Sequence, residues 1–142
     1  MSQDPDCIFC KIVAGELPCF EIYQDDETLA FMDINPANTG HALAITKHHW
    51  QDLHATPDAQ LSATIATAKR VAGALQAELG PDGINLAQAN GKGAAQSVMH
   101  FHMHILPRRE GDELKLNWGI NPGDMDVIGA LAKRIAARIA ES

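Results

Sequence analysis

A chain of 142 residues is the size of one domain with one substantial core, and its 46% hydrophobic and 20% charged residues exclude a disordered or fibrous protein. Eighteen acidic against 11 basic residues leave a formal charge of −7. That balance opposes nonspecific attraction to a nucleic-acid backbone, so no nucleic-acid partner is expected, while small anionic ligands stay open wherever positive groups concentrate locally. The opening "MSQDPDCIFC" is acidic, and no later apolar run approaches the roughly 20 residues of a membrane span. A cytoplasmic protein without a membrane partner is therefore expected. Three cysteines, Cys7, Cys10 and Cys19, suit reduced thiols or a metal site better than a disulfide framework.

Taken in chain order, "CIFCKIVAGEL" predicts a short helix through Ala14, closed by Gly15 in a left-handed cap. Three strands follow at Phe20 to Gln24, Thr28 to Ile34 and His41 to Lys47, separated by "DDE" and "NPANTG", which suggests an antiparallel meander. Thr56 is expected to N-cap a long helix with Pro57 at its first position. Leu61, Ile65, Ala68, Ala72, Leu75 and Leu79 recur at helical spacing until Gly80-Pro81 stops the pattern. "INLAQAN" and "SVMHFHMHIL" read as two further strands joined by "GKGAAQ", and Ile128, Leu131, Ile135 and Ile139 mark a C-terminal helix at about 123–140. Strands grouped together with helices set apart indicate an α+β fold on an antiparallel sheet of about five strands.

The segment "SVMHFHMHILPR" concentrates the chemistry. On a strand, side chains alternate between faces, so His100, His102 and His104 would share one face and Phe101, Met103 and Ile105 the other. At a rise of about 3.3 Å per residue the outer two histidines begin roughly 13 Å apart. Three such rings do not easily close on one ion whose bonds to nitrogen are about 2 Å long. Two of them plus a histidine from elsewhere could, so a metal site competes with the other reading, an extended polyanionic ligand lying along the strand. A purely structural role would leave six ring nitrogens to satisfy on a half-buried face for no gain.

This segment resembles the histidine-triad (HIT) signature of alternating histidine and apolar residues. The similarity extends upstream through "CIFCKIVAGELP", "DDETLAFMDINP" and "GHALAITKHH", covering roughly Cys7 to Arg108 in the family's order. It looks closest to the Hint-like branch, which implies a single HIT domain over 1–142 with a core at about 7–109. The branch cleaves purine nucleoside phosphoramidates and related AMP conjugates as homodimers. By resemblance His102 is the nucleophile, giving a covalent nucleotidyl-imidazole that water hydrolyses. His104 and His41 would hydrogen-bond the non-bridging phosphate oxygens, and Ser97 would contact the leaving group. Asn90 and Gln96 in "NGKGAAQ" would add polar contacts to phosphate, with Lys92 adding charge. Family members commonly carry glycine where Ala94 or Ala95 stands. Asp33 would accept from the ribose hydroxyls, and Ile8, Phe9, Ile12, Phe31 and Ile34 would sandwich the base.

The pair Cys7 and Cys10 admits several readings, since redox pairs and chance also produce C-x-x-C. Some bacterial members of the family hold structural zinc with such a pair, the histidine aligned at His49, and the first triad histidine, here His100. His48 is the adjacent alternative. Two thiolates and two imidazoles make a reasonable tetrahedral shell, and no catalytic metal is implied. Cys19 has no partner in that scheme and reads as a packing residue. Arg108 and Arg109 are expected to face solvent, and Trp118 to lie near a dimer partner. A dinucleoside polyphosphate hydrolase, or a zinc-stabilised nucleotide-binding scaffold with little turnover, are the competing functions.

Overall fold

Alternating apolar runs separated by Asp, Asn, Pro and Gly turns fold into one antiparallel sheet. In the computed structural model, which describes residues 3–142, helix α1 (Ile8–Val13) precedes a meander of β1 (Glu21–Gln24), β2 (Thr28–Met32) and β3 (Ala42–Thr46). Helix α2 (Asp58–Leu79) crosses the sheet, β4 (Gly83–Ala87) and β5 (His102–Arg108) complete it, and α3 (Met125–Glu141) follows. The strand order is β1-β2-β3-β5-β4 with every pair antiparallel. This is the expected α+β arrangement. No helix among the described residues is long and apolar enough to cross a membrane.

The period-2 alternation sorts the core into two layers. Ala30, Ala42, Ala44 and Ile105 face α2 through Ala68, Val71 and Leu75. On the other face Leu29, Phe31, Leu43 and Ile45 pack with Cys7, Phe9 and Cys10 of the α1 segment. Register places His104 opposite Leu43 and His102 opposite Ile45, so both histidines emerge on the α1 face.

Two expectations for α2 need correction. Its helical residues begin at Asp58 after an extended Pro57, and the Thr56 hydroxyl donates to the Asp52 carbonyl at 2.6 Å, so it does not accept from the helix's free N–H groups. Ile65 lies 45% exposed, while Thr64, Thr67, Ala68, Val71 and Leu75 are buried. The helix has rolled onto its small and hydroxyl-bearing side. There Thr67 and Thr28 bond each other at 2.7 Å, and the alanine-lined sheet admits close approach. The helix ends as expected, on left-handed Gly80. Arg109 reinforces that end by donating to the Leu79 and Gly80 carbonyls at 2.5 and 2.6 Å.

The C-terminal helix also forms where its periodicity placed it. Asp124 caps it by accepting from the N–H groups of Asp126 and Val127. None of its residues is buried, and Ile128, Leu131, Ile135 and Ile139 form an exposed apolar stripe.

Two backbone positions govern how the chain enters the site. Gly40 (φ +91) precedes His41, and a Cβ there would sit 2.6 Å from Leu79 Cδ1 and 3.1 Å from Pro107 Cγ. Ala95 (φ 64) holds a left-handed conformation that costs an alanine about 1–2 kcal/mol. Urea unfolding of Gly40→Ala is therefore expected to show a loss of at least about 1 kcal/mol. Ala95→Gly, relieved of its strain, should equal or exceed the parent. A neutral Gly40→Ala together with a destabilised Ala95→Gly would contradict this reading of the backbone.

Candidate active site

A cavity of about 460 Å³ opens on the α1 face of the sheet. One side is apolar, made by Ile8, Phe9 and Ile12 of α1 with Phe31, Ile34, Leu43 and Val98. The other is polar, made by Asp33, Asn35, His41, Ser97, His102 and His104. An apolar slot with a few convergent polar groups is the usual form of a small-molecule site. A larger open hollow of about 610 Å³ borders Arg108 and Asp112 but has no histidine, serine or cysteine among its lining residues. Arg108 is committed there to Asp112, Asn85 and the Leu114 carbonyl, so neither it nor Arg109 reaches the histidines.

Hydrogen-bond partners settle which ring nitrogens carry protons. His102 Nδ1 stands 2.6 Å from the His100 carbonyl oxygen, which can only accept. The proton is thus on Nδ1, and Nε2 keeps a lone pair. The Ala37 N–H donates to His41 Nδ1 at 3.0 Å, so a neutral His41 carries its proton on Nε2. That proton is directed to His104 Nδ1 at 2.8 Å, with Asp33 Oδ2 at 3.5 Å from the same nitrogen. His104 consequently has its own proton on Nε2. Asp33, His41 and His104 are close enough to hold a metal ion, but this proton order leaves neither the His41 Nε2 nor the His104 Nδ1 lone pair free for one.

Burial keeps these rings neutral. His104 is lowered to about 4 by burial, then by the neighbouring His102 and His41, with Asp33 opposing. Burial also lowers His102 and His41, and Asp33 partly offsets both. The site therefore offers a neutral lone pair at His102 beside an N–H donor at His104, the rings 5.0 Å apart.

His100 departs from the expected row. It lies outside β5, because the ladder with β3 ends at the Ile45–His102 pair. Phe101 N–H instead bonds the Trp50 carbonyl at 2.7 Å, and the fully buried His100 ring turns away from the cavity. Its Nε2–H donates to the Thr46 carbonyl at 2.6 Å, which aims the Nδ1 lone pair at Cys7 Sγ (3.3 Å) and Cys10 Sγ (3.6 Å). His49 Nδ1 stands 3.3 Å from Cys10 Sγ, and Asp4 Oδ2 lies 4.0 Å from His49 Nε2, where it can orient that ring. Cys7, Cys10, His49 and His100 form a group that could hold a metal ion. On zinc bonds of about 2.3 Å to sulfur and about 2.0 Å to nitrogen, tetrahedral neighbours stand roughly 3.5 Å apart, so the observed spacings fit zinc. Burial pushes the Cys10 thiol up. His48 stacks on Trp50 instead, ring centroids 6.1 Å apart.

The loop residues sort differently. Ser97 lines the cavity, but Asn90 and Gln96 spend their side chains tying the loop to itself and to the segment that precedes α2. Asn90 Oδ1 accepts from Leu53 N–H at 2.7 Å, while buried Gln96 accepts from Gly91 N–H and donates to the Gln51 and Val98 carbonyls. Lys92 is exposed in a 3₁₀ turn, Lys92–Ala94. Cys19, expected only to pack, borders the cavity, as do Leu43 and Val98, which the sequence reading missed. Alternation would have found Leu43, since it shares a face with Ile45 and pairs with His104. Trp118 is 85% exposed.

Comparison with known proteins agrees with this geometry. An adenosine 5'-monophosphoramidase of Saccharomyces cerevisiae is 40% identical over 137 residues, 96% of this chain and 84% of that protein. A Streptococcus mutans crystal structure superposes with a TM-score of 0.92 at 36% identity, covering 97% of this chain and 88% of the other. A zinc-bound histidine triad family protein of Mycobacterium smegmatis gives a TM-score of 0.74 at 37% identity, covering 96% of each chain. The HIT domain family model matches residues 14–111, and the chain belongs to that family.

Proposed function

We propose that this protein is a nucleotide hydrolase that cleaves purine nucleoside phosphoramidates or related AMP conjugates through a covalent intermediate on His102. The observation that carries this reading is the 2.6 Å contact from His102 Nδ1–H to the His100 carbonyl, which leaves Nε2 unprotonated on a ring lining the cavity. Nε2 attacks the α-phosphorus, a P–Nε2 bond forms as the bond to the leaving amine breaks, and the Ser97 hydroxyl at the cavity edge passes a proton from solvent to the departing amine; the water that attacks next gives up a proton to solvent. Water then adds to the phosphorus and returns His102 as AMP leaves. His104 Nε2–H donates to a non-bridging oxygen as charge grows there. His41 serves as a positioning residue, since its proton is directed to His104. Asp33 takes the ribose hydroxyls, and the apolar wall takes the base with weak discrimination among purines. Ser97 at the cavity edge favours phosphoramidates over dinucleoside polyphosphates.

The similarity to a monophosphoramidase supports the substrate class. Two thiols and two imidazoles at tetrahedral spacing, together with a zinc-bound relative, support structural zinc at Cys7, Cys10, His49 and His100. Zinc there would hold four protein ligands and leave no open position for substrate, so the reaction is read as metal-free. The uncovered stripe of α3 supports a homodimer in which a second copy covers it.

His102→Ala is expected to lower turnover of an adenosine phosphoramidate by roughly 10⁴-fold or more while the fold and AMP binding persist. Rapid quenching of the parent enzyme should trap an adenylate on His102, and diadenosine polyphosphates should turn over more slowly. Unchanged turnover in the variant would refute the nucleophile assignment. Sedimentation equilibrium should give twice the 15.3 kDa chain mass, falling to one chain in Leu131→Glu/Ile135→Glu. A monomeric parent would dismiss the dimer.

A further inference from the structure

Residues 3–19 close their backbone hydrogen bonds on themselves, as in Cys7 N–H to Asp4, Ala14 N–H to Cys10 and Glu16 N–H to Lys11. The polar ties seen from this segment to the rest of the fold run from Cys7 and Cys10 to His100, just before β5, and from Cys10 and Asp4 to His49, just after β3. The same short helix turns Ile8, Phe9 and Ile12 to the cavity. Phe9 spans the two functions, its ring centroid 5.7 Å from that of His100 and 5.1 Å from that of His102. One wall of the base slot is therefore fastened to the molecule through the cysteine–histidine cluster. A helix of six residues is too short to hold its shape alone, so its position depends on that fastening and on the packing of Phe9, Ile12 and Val13 against the core. By contrast, Asp33, His41 and His104 stand on the sheet and the β2–β3 connection, apart from α1.

We propose that metal occupancy of Cys7, Cys10, His49 and His100 sets the affinity of the cavity for the base of its ligand and leaves the ribose-phosphate portion little changed. The inference rests on the nucleotide reading above. Metal bound to the cluster fixes α1 against Phe31 and Leu43, on which Phe9 packs, and so fixes the cavity wall that Ile8 and Ile12 supply. Without it, the wall carrying Ile8 and Ile12 loses its polar anchor and the base loses contact first. Coupling of two binding equilibria is reciprocal, so nucleotide must tighten the metal by the factor by which the metal tightens nucleotide.

The test uses the zinc-loaded full chain. Calorimetry first establishes saturation by AMP and, separately, by ribose 5-phosphate. Zinc dissociation is then measured by competition with a chromophoric chelator, with either ligand saturating or with neither. AMP is expected to tighten zinc by about tenfold or more, and ribose 5-phosphate by much less. Zinc affinity unmoved by bound AMP would overturn the inference and leave the nucleotide reading standing. Equal tightening by ribose 5-phosphate would also overturn it, because the coupling would then run through general stabilisation and not through the base wall. Failure of the zinc-loaded protein to bind AMP would sink both readings.

Discussion

The backbone carbonyl of His100 holds the site together. It accepts the Nδ1 proton of His102 at 2.6 Å and so decides that the lone pair of that ring is on Nε2. It can do so because residue 100 has left the β-ladder, where its carbonyl would have been free to face a neighbouring strand. What holds residue 100 in place is its own buried side chain, bonded to the Thr46 carbonyl on one edge and facing two cysteine sulfurs on the other. Removing that ring would leave a fully buried hole beside the nucleophile.

A similar chain of constraints operates on the phosphate side. Ala37 N–H fixes His41, His41 fixes His104, and each proton is placed by a group that has no alternative role. Burial makes this order robust by keeping all the rings neutral, since a second proton on any of them would break the sequence of donors and acceptors. The tight approach at Gly40, where a Cβ would meet Leu79, brings His41 into this line. Stability of the helix-covered face and chemistry on the other face thus share one backbone position.

Much of this was legible in the residues. Turn chemistry placed the first four strands to within about three residues, the Gly80-Pro81 stop ended α2, and the alternation of His102 and His104 gave a shared face, because each of these is a local property of the chain; β5, expected from Ser97, begins only at His102 and runs through Arg108. The failures have a common cause in tertiary override. The period-2 pattern of the histidines continued through His100, but the partner strand ran out, and a residue patterned for a row became a buried anchor. Ile65 had the right helical spacing and lost its place in the core to threonines that bond across to the sheet. Asn90 and Gln96 are polar residues in a glycine-containing loop, and sequence cannot say whether such groups face a ligand or staple the loop; here they staple it. Asp4 carried no signal at all, since its relation to His49 exists only once the N-terminal segment has folded back.

The most direct measurement is a long-range ¹H–¹⁵N correlation spectrum of the free protein's imidazoles. At pH 8 the His102 ring is expected to be neutral, with a protonated Nδ1 and a bare Nε2, because burial lowers its affinity for a second proton below that of an ordinary imidazole near 6.5. A ring protonated on Nε2, or doubly protonated at that pH, would contradict the account.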